Sequence, residues 1–356
     1  MSQLGRLIAC LDLAGCPNRC RHCWLGVSPN GRLDPDDLRY LAASFRPHVA
    51  ELEVVSWYRE PDYRDDYQQL WQLERELSSF KTPHFELVSV WRTVRDEAYA
   101  PWLFALGVRR AQLTLFGGRD TTDRYYRRSG AYDELLQAVD ILLRHNIAPR
   151  LQIFVNRENL AEMPDVVALI DELGLERRCA EIGQTFDAFV HQGSCDGENA
   201  KLYSLRVTPD DIQCLPPRLV GYTLRYTGKA EIMDVFGQTE SALCATLARE
   251  PGPGRSTDGP ADGSVVFYVD GNWDVYPTYT QPAPFWRLGN LKRDGASTVI
   301  DRYLHHASQA QHAWLTVPLR ELVARHGDPC SPRLFTQDDY VLYLLNRYCL
   351  AMAGEL

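Results

Sequence analysis

"RLIACLDLAGCPNRCRHCW", residues 6–24, joins an apolar run to a loop that carries cysteines at 16, 20 and 23. The run is short, apolar and closed by Asp12 and Gly15, which reads as a buried strand. "DPDDLRYLAASF", residues 34–45, then reads as a helix: Asp34 can cap it, Pro35 suits its first position, and Leu38, Leu41 and Phe45 share a face. The three thiols therefore stand in a strand-to-helix loop.

The strand-then-helix unit recurs. "ELEVVSW" precedes a helix through Tyr67, Leu70, Trp71 and Leu77, and "HFELVSVW" precedes "DEAYAPWLFALG". "RRAQLTLF" precedes "AYDELLQAVDILLRH", "PRLQIFV" precedes "LAEMPDVVALIDELG", and "RRCAEIGQTF" comes last. Such alternation predicts parallel strands covered by helices, curled by right-handed crossovers. The expected fold is α/β: a partial (β/α)6 TIM-type barrel over residues 1–190, then a smaller α+β region over 191–356. Chemistry in that architecture sits at the C-terminal ends of the strands, where the cysteine loop lies. In the second region "EPGPGRSTDGPADG", 250–263, reads as a loop or lid, and "SVVFYVDGNWDVYPTY" as a hairpin turning at Asp270-Gly271-Asn272. A last helix is expected from near Thr336.

Composition narrows the function. With 45% hydrophobic and 24% charged residues, the chain of 356 has the make-up of a globular protein. A net charge of -9 argues against nucleic acid as main partner, and no stretch is apolar enough to span a membrane or act as a signal, so a cytoplasmic location is expected. Ten cysteines in a reducing compartment suggest a metal or redox site where they cluster. Cys10, Cys179, Cys195, Cys214, Cys244, Cys330 and Cys349 are scattered, and each reads first as a small buried hydrophobe.

A four-iron cluster takes four thiolates as a rule, and three leave one iron open for a substrate or cofactor. The C-x3-C-x2-C spacing lets one compact loop hold three corners of such a cluster. A zinc knuckle of Cys16, Cys20 and Cys23, with His22 or a distant ligand, is the alternative.

Cys16, Cys20 and Cys23, with the aromatic His22 before the last, resemble the motif of the radical S-adenosylmethionine (SAM) enzymes, which carry it after the first barrel strand. The resemblance implies a 4Fe-4S cluster, SAM as cofactor, a reductant such as flavodoxin or ferredoxin, and His22 beside the cofactor. In "SWYREPDY", Glu60 matches the glutamate of the family's Gly-Gly-Glu-Pro, with Tyr58 and Arg59 in place of the glycines, and is expected to bind the amino group of SAM. In "QLTLFGGRDTTDRYYRRSGAYDELLQAV", Thr114 matches a serine that touches SAM. The usual arginine falls on Tyr126, which leaves Arg127 as the expected carboxylate ligand. Asn156 in "QIFVNREN" either faces the cofactor or closes its turn.

The C-terminal region resembles the SPASM or Twitch domains, which carry auxiliary clusters. Cys244, the hairpin and "RLGNL" match, but Thr278 stands where a ligand cysteine would be, so a degenerate domain without a full cluster is expected. Loss of that electron acceptor favours redox-neutral outcomes: epimerisation, rearrangement or elimination. For an epimerisation, Cys244 is the first candidate as catalytic hydrogen-atom donor. The first strand starts near residue 7, leaving no room for a leader-binding domain, which favours a small polar substrate of secondary metabolism. A maturase of ribosomal precursor peptides and a non-catalytic zinc or scaffold protein are the alternatives.

Overall fold

The computed structural model describes residues 4–26, 30–31, 33–250, 252, 263–277 and 282–355. Thr278 and most of the Gly/Pro-rich stretch lie outside the described residues. Strand β1 (Leu4–Leu11) leads to helix α1 (Pro35–Phe45), where the backbone N–H of Asp34 donates to Asp37 Oδ2 at 3.0 Å. Leu38, Leu41, Ala42 and Phe45 are its buried face. Strand β2 (Val49–Val55) then pairs in parallel with β1, Leu7 beside Leu52 and Ala9 beside Val54. Helix α2 (Tyr67–Leu77) follows, as its spacing predicts.

The third expected strand hardly forms. "HFELVSVW" makes a single bridge, Leu87 to Gln112, before helix α3 (Val90–Arg95) begins. Two residues explain this: Pro83 cannot donate a backbone bond, and Ser89 caps α3 by accepting from Arg92 N at 3.1 Å. Side chains cover the edge of β2 instead, with Ser79 Oγ accepting from Leu52 N at 2.7 Å and Ser78 Oγ from Val54 N at 2.9 Å. Helix α4 (Tyr99–Ala105) completes the unit.

A second parallel sheet holds β3 (Arg110–Leu115), β4 (Ala148–Phe154) and β5 (Asp187–His191). Helices α5 (Arg119–Tyr126), α6 (Ala131–Arg144), α7 (Met163–Glu172) and α8 (Leu175–Glu181) connect them. Leu113, Leu115, Leu151, Ile153 and Val190 pack outward against Leu135, Val139, Leu142 and Val166, each fully buried leucine contributing about 1.5–3 kcal/mol. "RRCAEIGQTF" is corrected here. Its first half belongs to α8, with Cys179 buried and charged residues outward, and the last parallel strand comes later, after the left-handed turn at Gly183.

The C-terminal region builds onto the first sheet. Strands β6 (Gln238–Thr239) and β10 (Leu334–Phe335) pair antiparallel apart from it. Strands β7 (Val265–Val269) and β8 (Asp274–Pro277) form the expected hairpin, with Asp270 Oδ1 accepting from Asn272 N and Asp274 N. Strand β9 (Gly289–Asn290) pairs with β8, and β7 pairs in parallel with β1 from Leu7–Val265 to Leu11–Val269. The sheet order is therefore β2-β1-β7-β8-β9. A third core around Trp286, Tyr340, Leu344 and Leu345 sits under the last helix, Gln337–Met352, which Thr336 caps. Among the described residues no helix is long and apolar enough to cross a membrane.

Candidate active site at the strand ends

The backbone of the cysteine loop is held by four residues, Asp12, Asn30, Tyr125 and Glu198. Asp12 Oδ1 accepts from Gly15 N at 2.9 Å, and Gly15 has φ +83° with Asn30 Oδ1 only 2.3 Å from where a Cβ would stand. Asn30 then brackets Cys16, accepting from its N at 3.2 Å and donating to its carbonyl at 2.9 Å. Arg21 N donates to Tyr125 O at 2.8 Å, and Glu198 N donates to Cys23 O at 2.9 Å. His22 packs edge-on against Phe116 and Phe154, at 4.6 and 5.2 Å between centroids. Burial, aided by His191, lowers its pKa to about 3, so it is a neutral wedge.

Cys16, Cys20 and Cys23 all line one cavity of about 350 Å³, shared with His22, Glu60, Thr114, Tyr126 and Arg128. Burial pushes all three thiols up, and Glu60 and neighbouring cysteines push Cys16 and Cys20 further. Three buried thiolates together are unfavourable alone, and metal coordination deprotonates thiols outright, so this donor set fits a metal cluster. Among the described residues no three His, Cys, Asp or Glu gather at the reach of one ion. A cubane does not require that, because each thiolate binds a different iron.

Glu60 is no solvated loop residue. One oxygen accepts from the buried Ser89 hydroxyl at 2.6 Å, and the other lies 3.8 Å from Cys16 Sγ. Burial pushes its carboxyl up to about 7, against those hydrogen bonds. The two side chains before it have found other work. Tyr58 stacks on Tyr268 of β7 at 3.8 Å, and Arg59 donates from Nε and Nη2 to Asp12 Oδ2 at 2.9 and 2.8 Å.

The turn after Glu60 is tied down by the segment that failed to become a strand. Asp62, in the left-handed region at φ +54°, accepts from Tyr99 Oη at 2.6 Å and pairs with His84 Nε2 at 2.9 Å, while Arg92 Nε donates to Asp62 O at 2.6 Å. Burial would lower the pKa of His84, but the bond and charge of Asp62 outweigh it and hold it above the ordinary value of 6.5. Its stabilisation is therefore complete below that ordinary value and is lost as pH rises through the higher folded value. The gap in urea-unfolding free energy between wild type and His84→Phe should narrow steadily from slightly acidic to alkaline pH; a constant gap would show that His84 is not charged.

The remaining expected residues divide. Thr114 lines the cavity, and Tyr126 Oη donates to its carbonyl at 2.9 Å. Arg127 does not line it: as the left-handed cap of α5, at φ 52°, it turns to Glu198 at 2.8 Å, and Arg128 enters the cavity instead, bonded to Asn18 Oδ1 at 2.8 Å. Asn156 is buried away from the cavity, donating to Tyr125 Oη at 2.5 Å and accepting from Glu158 N at 2.9 Å, which closes its turn. Cys244, the candidate hydrogen-atom donor, lies in the C-terminal core, where its thiol is 3.1 Å from Tyr340 Oη and the residue is 3% exposed. Gln112, Gln152 and His191 also line the cavity; the alternation of "AQLTL" and "LQIF" was the signal for the glutamines.

Residues 12–170 match the profile of the radical SAM superfamily. Fe-coproporphyrin III synthase of Methanosarcina barkeri (strain Fusaro / DSM 804) is 26% identical over 174 residues, 46% of this chain and 40% of that protein, so the match spans less than half of that curated relative. Among solved structures, native anSMEcpe with bound AdoMet aligns with a TM-score of 0.55 at 13% identity over 97% of each chain. The same protein with AdoMet and the Kp18Cys peptide aligns at 0.53 and 12% identity over 98% of each. At such identities the likeness concerns the fold. The profile match begins at Asp12 and takes in the cysteine loop, Glu60 and Thr114, so it is residues 12–170 that are similar to the radical SAM superfamily, whose cofactors are a 4Fe-4S cluster and SAM.

Proposed function

We propose that the chain is a radical SAM enzyme that abstracts a hydrogen atom from a small polar substrate, with a redox-neutral outcome. The observation that carries this reading is the convergence of Cys16, Cys20, Cys23 and Glu60 on one cavity. When bound, the cluster and SAM supply reductive cleavage of SAM to methionine and a 5'-deoxyadenosyl radical, one electron coming from a flavodoxin or ferredoxin. Cys16, Cys20 and Cys23 would hold the cluster through their thiolates, with one iron left for SAM, and Glu60 would meet the SAM amino group. His22, Phe116 and Phe154 keep water from one side. Redox neutrality draws support from the scatter of the other thiols, with Cys244 and Cys349 packed in the C-terminal core and Cys330 exposed.

Anaerobically reconstituted, reduced protein should turn SAM into 5'-deoxyadenosine; a colourless protein holding zinc and no sulfide would end the reading. Glu60→Gln should keep its iron but bind SAM about ten- to hundred-fold more weakly by calorimetry, the loss of one charge-assisted hydrogen bond worth about 1.5–3 kcal/mol. Unchanged affinity would remove Glu60 from the SAM site. A peptide maturase is the second reading, favoured by whole-chain fold likeness to a protein solved with a peptide bound. A precursor peptide encoded beside the gene would favour it.

A further inference from the structure

The inner face of the second parallel sheet is polar where a closed barrel packs branched apolar side chains. Alternation sends Gln112 and Thr114 inward from β3 while Leu113 and Leu115 meet the helices, and register sets Gln112 beside Arg150 and Thr114 beside Gln152. The hydrogen bonds among these residues run in one direction. Arg150, which has donors only, pairs with Glu86 and donates from Nη2 to Gln112 Oε1 at 2.9 Å. With its oxygen so fixed, Gln112 donates from Nε2 to Gln152 Oε1 at 2.8 Å, and the Thr114 hydroxyl donates to the same oxygen at 3.1 Å. The Gln152 oxygen is thus committed twice within the protein, and its amide nitrogen ends the relay at the cavity wall. The orientation of an amide usually has to be assigned from its network; here the guanidinium at the far end, which cannot accept, dictates it. Aligned bonds of this kind polarise the last donor.

We propose that Gln152 Nε2 is a preorganised donor for a carbonyl oxygen of the substrate, and that the group held against this wall is an uncharged amide. The inference rests on the radical SAM reading of the cavity. Charge decides for an amide over an acid or amine. Arg150 is matched by Glu86, and burial lowers the pKa of His191, on the same wall, to about 4, leaving it neutral. Such a wall rewards an acceptor without demanding a counter-charge. Arg150 is a positioning residue, acting through the direction it gives both glutamines.

The test uses the full chain, iron-loaded and with SAM, and ligand-observed NMR with N-methylacetamide, acetate and ethylammonium as probes. Wild type should prefer N-methylacetamide to either ion, and Gln152→Leu should weaken its binding roughly tenfold. The isosteric Gln152→Glu, which presents only acceptors, should reverse the preference toward ethylammonium. Arg150→Met should shrink the amide-to-ammonium preference because Gln112 and Gln152 are then free to turn, a selectivity change that lost packing alone would not produce. Trialanine capped at both ends separates the sources of an amide: tighter binding than N-methylacetamide identifies a peptide backbone, and exclusion identifies a small amide. Wild type that fails to bind SAM would sink the radical SAM reading. Wild type that binds SAM but shows no preference for N-methylacetamide, or binds it no better than Gln152→Leu, would overturn the amide site alone.

Discussion

Bound iron should fall to essentially nothing when Cys16, Cys20 and Cys23 are replaced together by alanine and the protein is reconstituted anaerobically. These are the thiols that meet at one cavity, whereas Cys10, Cys179, Cys195, Cys244 and Cys349 are buried elsewhere and Cys214 and Cys330 are exposed. The loop should keep its course in the variant, since Gly15, Cys16, Arg21 and Cys23 are anchored through their backbones. Circular dichroism and iron analysis on the same sample check this. If about half the iron stayed on a folded variant, a second cluster would exist, and the degenerate reading of the C-terminal region would fall.

Arg59→Met should produce the largest loss of stability. Arg59 and Asp12 form an ion pair with side chains 8% and 4% exposed, and removing one member of such a pair costs about 3–5 kcal/mol because the other charge stays buried. Asp12 also accepts from Gly15 N, so its displacement should loosen the cysteine loop and lower the iron retained after gel filtration. Adding Asp12→Asn removes the stranded charge and should return part of the stability in urea unfolding, as a double-mutant cycle would report. A single-variant loss below about 1 kcal/mol would show the pair to be solvated.

The local signals of the sequence carried the fold a long way. Asp34 with Pro35, the apolar spacing of Ala131–Arg144 and the turn at Asp270 each give structure where their own residues specify it. "HFELVSVW" has the composition of a strand, yet Pro83 and the cap at Ser89 overrule it, and "RRCAEIGQTF" shows how a short apolar run leaves helix and strand undecided. In the site, the cysteines were legible because spacing within one loop is a local property. Arg127 and Arg128 were not distinguishable, since a left-handed φ at one residue decides which of two neighbours turns inward. Cys244 and Asn156 depended on partners distant in sequence or on an exact turn, Tyr340 for one and Tyr125 for the other.

The parallel pairing of β7 with β1 has a consequence for synthesis on the ribosome. Asp12, at the base of the cysteine loop, donates its backbone N–H to Val269 O, so the strand that carries the cluster site borrows an edge made more than two hundred residues later. At translation rates of about 5–20 residues per second, β1 waits roughly 10–50 s with one side unpaired. During that interval the nascent chain exposes an open strand edge next to three reactive thiols, a form prone to mispairing and oxidation. Iron delivery before release of the finished polypeptide would meet a half-built receptor, and a fragment ended near residue 190 should be recovered as aggregate.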